Sequence, residues 1–526
     1  MRFNVRQFFK KMSKKIGRDK ELQEVSVLVA TGIPGFVDAA VMESALGRTF
    51  ANEGENVCYI VCQGVLPACH LVKFRKVGSI DSLLSGNWKK SICNNCVLRA
   101  GVLKHNGSIV VTLDEMLNKC DRDFVTKSIS EKSDNQLADF SFYGVNIAEH
   151  ARSGALRFLA IGNSELEEKY KDVYKLYLEA SFLTLIAFKR ILEKTKKIKV
   201  AYLNHGIYTP QGVFNDLLKQ FQINFYTWNM GYRKGTVLFS RGDTYHRTMI
   251  KNDDSWKNFE FDKEKEKTVS EYLAIRASGA QDWVSFNRNS IRADKLISEF
   301  PSKYVSLFTN VNWDAQIHFD NNAFESHLNW VVKTIDYFRN LPDVGLVIRI
   351  HPAELYGATP SRQRLADDLT RIHTNLPANV IVILPDNKIS SYELASHSTY
   401  SIVYGSKMGI ELPAMGCRVI VAGDSWAKGK GFTYDCPSED EYLKLLGQLL
   451  DDDAHELDMA KQQLAKKYSY YYFFKRLVNI RGLEKNDNGP LQIKDGFTVD
   501  QIAKDASFIS IANQMKLSKE VINEIS

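Results

Sequence analysis

The sequence of 526 residues contains no apolar run approaching the ~20 residues that a membrane-spanning helix needs. Met1 is followed by basic residues rather than by a continuous apolar core, so a signal peptide is not expected and the chain is predicted to stay in the cytoplasm. A phosphate loop of the Gly-x-x-x-x-Gly-Lys-Ser/Thr kind is missing, which sets ATPase chemistry aside. No Asp-x-Asp stands at a strand end, so catalysis is expected to need no metal. Short repeats and long low-complexity segments are also missing. A global excess of charge is lacking too: residues 1–20 hold eight of the 69 basic residues and one of the 62 acidic ones, leaving 61 of each in the remainder. A body with balanced charge is not a nucleic-acid surface. Eight cysteines in a cytoplasmic chain argue against disulfides.

What is present begins with that leader. Residues 1–22 combine eight Lys/Arg with Phe3, Val5, Phe8, Phe9, Met12 and Ile16. The mixture suits an amphipathic helix on an anionic inner-membrane face, or else a solvated extension. Five cysteines cluster early. Cys93 and Cys96 have metal-ligand spacing, and Cys62 and Cys69 complete a possible structural zinc site, with His70 as a substitute ligand. The alternative is ordinary buried thiols.

Strand–helix–strand alternation organises the rest. "VSVLVAT" (25–31), "NVCYIVCQG" (56–64), "KVAYLNHG" (199–206) and "NFYTWN" (224–229) read as strands separated by helical patterns. Residues 251–300 are charged, helical and poor in strand signals. A second series follows in "KYVSLFTN", "VGLVIRIHP", "ANVIVILP", "YSIVYG" and "RVIVAG". This pattern predicts an α/β chain with two Rossmann-like domains facing a cleft. The expected division is a leader (1–22), an acceptor domain with the helical junction (23–295), a nucleotide-sugar-binding domain (296–480) and a peripheral tail (481–526).

Four polar turns follow four strands of the second series: "FTNVNWDAQ" (308–316), "RIHPAE" (349–354), "LPDNKISSYEL" (384–394) and "YGSKMGIE" (404–411). A parallel sheet places all four at one edge, where such folds bind ligands. His351 can donate to a phosphate oxygen. Ser406 can cap the helix that follows, and Lys407 adds charge. Glu411 is placed to accept from ribose hydroxyls, or is a surface helix charge. "GKGFTYD" (429–435), with Lys430, reads as a basic closing loop.

These turns, in this order, resemble bacterial capsule and surface-carbohydrate biosynthesis proteins related to GT-B glycosyltransferases. The His-Pro pair and the turn before a helix are similar to features of Kdo and bacterial sialic acid transferases, which use CMP-sugars. The resemblance implies transfer of a sugar from a nucleotide-sugar donor to a capsule or lipopolysaccharide-type glycan, free or lipid-linked. It implies that His351 and the Ser406–Lys407 turn hold donor phosphates, that Glu411 holds the ribose, and that Asp386, Ser390 and Ser391 line the nucleotide pocket; Arg349, Gly405 and Lys430, in the same turns and the closing loop, are further candidates for nucleotide or phosphate binding. "GSK" stands where CMP-sugar enzymes often show adjacent Ser/Thr, which leaves the base open. A polyol-phosphate transferase of the teichoic kind and a non-catalytic glycan-assembly protein are the alternatives.

Transfer also needs a general base from the first domain. Asp38 and Glu43, after the first strand, are the leading candidates, with Glu149, His150 and His205 behind them. His351 serves the leaving group. Arg152, Arg157 and Arg233 could bind an acidic acceptor or a donor carboxylate.

Overall fold

The β-branched runs become strands buried on both faces, as parallel sheets flanked by helices require. In the computed structural model, which describes residues 19–162, 170–250, 254–277, 301–314, 322–452, 456–485 and 489–524, the first unit contains β1 (Val27–Gly32), β2 (Val57–Val61) and β3 (Ser108–Thr112). A small hairpin of β4 (Ser141–Phe142) and β5 (Val145–Asn146) follows, then β6 (Val200–Asn204), β7 (Phe225–Met230) and β8 (Thr236–Arg241). The second unit contains β9 (Tyr304–Phe308), β10 (Gly345–Arg349), β11 (Val380–Ile383), β12 (Ser401–Val403), β13 (Val419–Val421) and β14 (Tyr434–Asp435). The chain ends with β15 (Leu477–Asn479), β16 (Leu483–Lys485), β17 (Leu491–Ile493) and the helix Ala506–Lys516.

Two large sheets result. Their orders are β15-β8-β7-β6-β1-β2-β3 and β11-β10-β9-β12-β13-β14. In each, the third, second and first strands of the series run outward one way and the later strands the other. That is the doubly wound arrangement, with a topological switch point between β1 and β6 in one sheet and between β9 and β12 in the other. The second sheet is parallel throughout. In the first, β8 is antiparallel to β7, and β15 is antiparallel to β8. The expected α/β class with two Rossmann-like domains is what the sheets show.

Helices cover both faces. Ile147–Leu159 and Lys171–Lys194 pack with Phe158, Tyr177, Phe182 and Phe188 against one side of the first sheet. Val37–Asn52 covers the other side. Among the described residues no helix is long and apolar enough to cross a membrane.

The expected divisions shift at two places. The junction helix Lys263–Ala277 shares its core with the second sheet, through Val269, Tyr272 and Leu273. The segment after residue 480 is no peripheral tail. Its Leu483, Leu491, Ile502, Phe508, Ile511 and Met515 bury themselves beside the helix Val37–Asn52, and just before it β15 (Leu477–Asn479), placed by the sequence in the second domain, joins the first sheet. Short strands and a single amphipathic helix gave this docking too little periodicity to read. Residues 1–18 of the basic leader lie outside the described residues, and its last four residues begin a short helix, Asp19–Gln23.

Candidate active site

Register fixes the geometry of the second switch point. Phe308 of β9 lies opposite Arg349 of β10 and opposite Val403 of β12, and Val403 lies opposite Val421. The turns carrying Thr309, His351 and Ser406 therefore leave one rim, with the β9 turn between the other two. Backbone–side-chain bonds join them. The His351 N–H donates to Thr309 Oγ1 at 2.9 Å, and the Gly405 N–H donates to Asn310 Oδ1 at 3.3 Å.

The His351 ring has a defined tautomer. Its Nδ1 accepts from the Ala353 N–H at 3.0 Å, so the neutral ring carries its proton on Nε2. Burial first, then the charges of Lys407 and Arg349, push its pKa down to about 4. At neutral pH it is an uncharged donor beside a lysine. Ser406 Oγ accepts from the Met408 N–H at 3.2 Å, and the helix Met408–Ala414 begins there.

Other expected donor contacts are already committed within the protein. Arg349 is buried, and its guanidinium donates to the carbonyls of Ile350, Leu384 and Asn387, pinning the turn after β11. Glu411 is fully buried. Its carboxylate accepts from Arg276 Nε and, at 2.7 Å, from the Tyr392 hydroxyl, with Lys407 Nζ 4.0 Å away. It braces the junction helix against the 404–411 turn and is not turned toward a ribose. Asp386 is exposed on the turn after the outermost strand, and Ser390 spends its hydroxyl capping the helix Ser391–Ser396, which places Ser391 in that helix's first turn. Lys430 is buried, its ammonium 5.7 Å from the Tyr468 ring, rather than standing on an open loop.

The first-domain bases are likewise engaged. Asp38 accepts from Lys485 Nζ at 2.9 Å and from the Leu491 N–H at 2.8 Å, tethering the C-terminal hairpin. His150 is 1% exposed, with Nδ1 3.0 Å from the Ile207 carbonyl and Nε2 2.8 Å from Asp216 Oδ2. Burial alone would lower its pKa, but the Asp216 carboxylate outweighs burial and raises it, and the ring lies between two acceptors. Neither nitrogen is left for an acceptor hydroxyl.

Glu43 sits inside the core at 4% exposure, accepting from Thr31 Oγ1 and, at 3.0 Å, from Trp228 Nε1. Burial pushes its pKa up to about 8, against the smaller lowering by those two bonds. A carboxyl raised in the folded state ionises first in the unfolded chain, so it erodes stability as pH climbs from its ordinary value toward 8. Glu43→Gln reproduces the neutral form. The variant is expected to fold, and urea midpoints measured from pH 5 to 8 should decline less than those of the unsubstituted protein. A steeper decline than in the unsubstituted protein would exclude the buried neutral acid.

The four cysteines do not form a closed metal set. Cys93 and Cys96 lie one turn apart on the helix Lys89–Arg99, and the Cys96 thiol accepts from the Gly35 N–H at 3.1 Å. Cys62 and Cys69 are buried. Burial raises all four thiols, that of Cys96 to about 11, which keeps them protonated. Among the described residues no group of three or more His, Cys, Asp or Glu side chains could hold a metal ion.

The two carboxyl edges approach each other. Arg157 lies with its guanidinium 5.6 Å from the Trp313 ring, the Gly162 N–H donates to Gln363 Oε1 at 2.7 Å, and the Arg362 N–H donates to the Ala160 carbonyl at 2.8 Å. Tyr245 and His246 of the first unit lie 5.2 and 5.8 Å from the Trp426 ring, and Lys407 Nζ is 4.7 Å from the Tyr232 ring. These aromatic residues had no sequence signal beyond their type; only the docking of two sheets brings them together.

No protein-family model and no curated protein matches the chain. Among solved structures it is similar to KpsC of Thermosulfurimonas dismutans, a beta Kdo 2,4 transferase, with 12% identity over 58% of this chain and 87% of that one and a TM-score of 0.35. It is also similar to the UDP-GlcNAc 2-epimerase of Methanocaldococcus jannaschii (12% identity, 56% and 81% covered, TM-score 0.28) and to the calicheamicin glycosyltransferase CalG4 (10% identity, 85% and 94% covered, TM-score 0.26).

Proposed function

We propose that the protein transfers a sugar from a nucleotide-activated donor, held at the β9/β12 switch point, to a saccharide acceptor held by the first domain. The observation that carries this reading is the meeting of His351, the Asn310 turn and the Ser406–Lys407 turn on one rim of a doubly wound sheet. Ligands of such sheets bind in the crevice outside the carboxyl ends at the switch point.

In that reaction an acceptor hydroxyl attacks the anomeric carbon. The bond from that carbon to the phosphate oxygen breaks, the phosphate keeps the electron pair, and the hydroxyl proton leaves to a base. Negative charge grows on the departing phosphate. The Nε2–H of neutral His351 and the ammonium of Lys407 are the groups that would meet it, and donors fixed beforehand in a closed site are worth most there. The basic leader is proposed to keep the protein near lipid-linked acceptors, its Lys/Arg drawn to anionic headgroups.

Thermal unfolding with CMP, CDP, UDP and GDP, each at millimolar concentration, tests the donor site. A ligand present at 100 times its Kd should stabilise by about 2.7 kcal/mol, a shift of several degrees. At least one nucleotide should give such a shift. If all four leave the midpoint unmoved, the switch point is not a nucleotide site and the transferase reading falls.

A further inference from the structure

Of the three arginines singled out in the sequence, two are spent structurally. Arg152 donates to the Ala138 carbonyl at 3.1 Å, and Arg233 donates to Asn479 Oδ1 at 3.2 Å while lying over the Phe474 ring. Arg157 is different. It stacks on Tyr208, 4.6 Å from the ring centroid, and faces Trp313, and among the described residues its guanidinium meets no carboxylate. Its Nε, like those of Arg152 and Arg233, is buried without a hydrogen-bond partner; the absence, among the described residues, of any oxygen acceptor for the rest of the fork sets it apart.

Two histidines converge on the same tyrosine. The His70 ring lies 5.2 Å from Tyr208, and the His205 ring 5.0 Å from it. His70 is 7% exposed, and the Nδ1 atoms of both rings are buried without a partner. His205 is held with φ at 64°, in the left-handed region that residues other than glycine rarely adopt. Strain of that kind gathers where a side chain must be aimed. The turns after β2 and β6 and the helix Ile147–Leu159 thus bring three donors around one buried aromatic ring, with Arg157 reaching from it toward Trp313.

We propose that Arg157, His70 and His205, with Lys73 at the margin, form an anion site that receives the carboxylate of an acidic acceptor saccharide. This rests on the transferase reading and adds the chemical class of its acceptor.

Charge selects a carboxylate over a phosphate. Burial first, and then Arg157, hold His70 well below its usual range; burial and then His246 do the same for His205. Both rings are neutral donors. Burial, Arg157, Lys76 and Arg75 bring Lys73 down to about 7, and its Nζ donates to the Ala358 carbonyl at 3.3 Å. The pocket therefore carries one permanent positive charge and part of a second. That matches a monoanion, and the planar guanidinium fork matches a carboxylate. Half-buried Trp313, beside Arg157, supplies an apolar wall for the sugar ring.

Isothermal titration without nucleotide tests this, with trigalacturonate, neutral maltotriose and inorganic pyrophosphate as probes. Trigalacturonate should bind the unsubstituted protein and bind Arg157→Gln at least tenfold more weakly. His70→Gln should weaken it severalfold, and carries the test if Arg157→Gln does not fold. Maltotriose should not bind, and the nucleotide-induced thermal shifts should be the same in both variants as in the unsubstituted protein. Undetectable binding of trigalacturonate at millimolar concentration, equal binding of maltotriose, or unchanged affinity in Arg157→Gln would overturn the site. Tighter binding of pyrophosphate, lost in Arg157→Gln, would assign it to a phosphate and overturn the carboxylate. Loss of the nucleotide shifts in Arg157→Gln would place Arg157 in the donor site instead. The outcomes are separable: a protein without any nucleotide shift contradicts the donor reading, whereas the acid-saccharide titration is measured without nucleotide.

Discussion

Arg276→Ala should destabilise the second domain by about 3–5 kcal/mol, the cost of leaving one member of a buried ion pair alone. Arg276 is 2% exposed and Glu411 0%. The guanidinium donates from Nε to Glu411 and from Nη1 to the Tyr272 hydroxyl at 3.1 Å, and it lies 5.1 Å from the Phe473 ring. Removing it leaves a carboxylate in the core with Tyr392 and a lysine 4.0 Å away. Urea unfolding followed by tryptophan fluorescence reads the loss. Glu411→Gln should cost a similar amount, because the arginine is then the orphan. Replacing both at once with apolar residues of similar size, Arg276→Met with Glu411→Leu, should cost much less than the two single changes added together.

The pH dependence has a defined sign. Burial alone would raise the Glu411 pKa, but Arg276, then Lys407, and the hydrogen bonds from Tyr392 and Arg276 outweigh it and hold the carboxyl below its ordinary value. Stability from a depressed carboxyl is present above the unfolded pKa of about 4.3 and is lost as pH falls through the folded one. The gap between the unsubstituted protein and Arg276→Ala should therefore be full at pH 7 and narrow as pH falls below about 4. Single variants unfolding at the original midpoint at pH 7 would show that the pair is not holding the junction helix to the 404–411 turn.

The parallel strands were legible because strands covered on both faces are written as continuous apolar runs, such as "VLVAT" and "GLVIR". With them came the rim, since a parallel sheet puts every strand-end turn on one side. What stayed hidden depends on partners distant in sequence. Glu411 looked like a free helix carboxylate because Arg276 stands 135 residues before it. Asp38 looked like a base because its lysine, Lys485, comes 447 residues later. β15 is three residues long and pairs antiparallel with β8, so neither length nor alternation marked it. The cysteine spacing suggested a metal because spacing along a helix is local, while coordination needs convergence in space. Arg157 was indistinguishable from Arg152 and Arg233 until their neighbours were known.

His351→Asn should lower turnover about 10²–10³-fold while leaving the unfolding midpoint nearly unchanged, if the imidazole stabilises the leaving phosphate. The choice of asparagine separates two jobs of one ring. Nδ1 accepts from the Ala353 N–H, and a shorter amide oxygen can take its place. Nε2–H, the donor that would reach the phosphate, has no counterpart in asparagine. Glutamine does the reverse: its amide nitrogen reaches about as far as Nε2, but the Ala353 N–H loses its acceptor, at about 1–3 kcal/mol. His351→Gln should therefore keep more turnover than His351→Asn and lose more stability. The readout is nucleotide release from whichever nucleotide-sugar matches the base that shifts the unfolding midpoint. Because the pKa of His351 lies near 4, held down by burial, Lys407 and Arg349, its ring should stay neutral from pH 5 to 9, with a nitrogen-15 signature of protonation on Nε2 throughout. A titration midpoint near the ordinary histidine value of about 6.5 would contradict the buried, lysine-flanked setting. Full turnover in His351→Asn would take the ring out of phosphate departure and leave it a role in shaping the turn after β10.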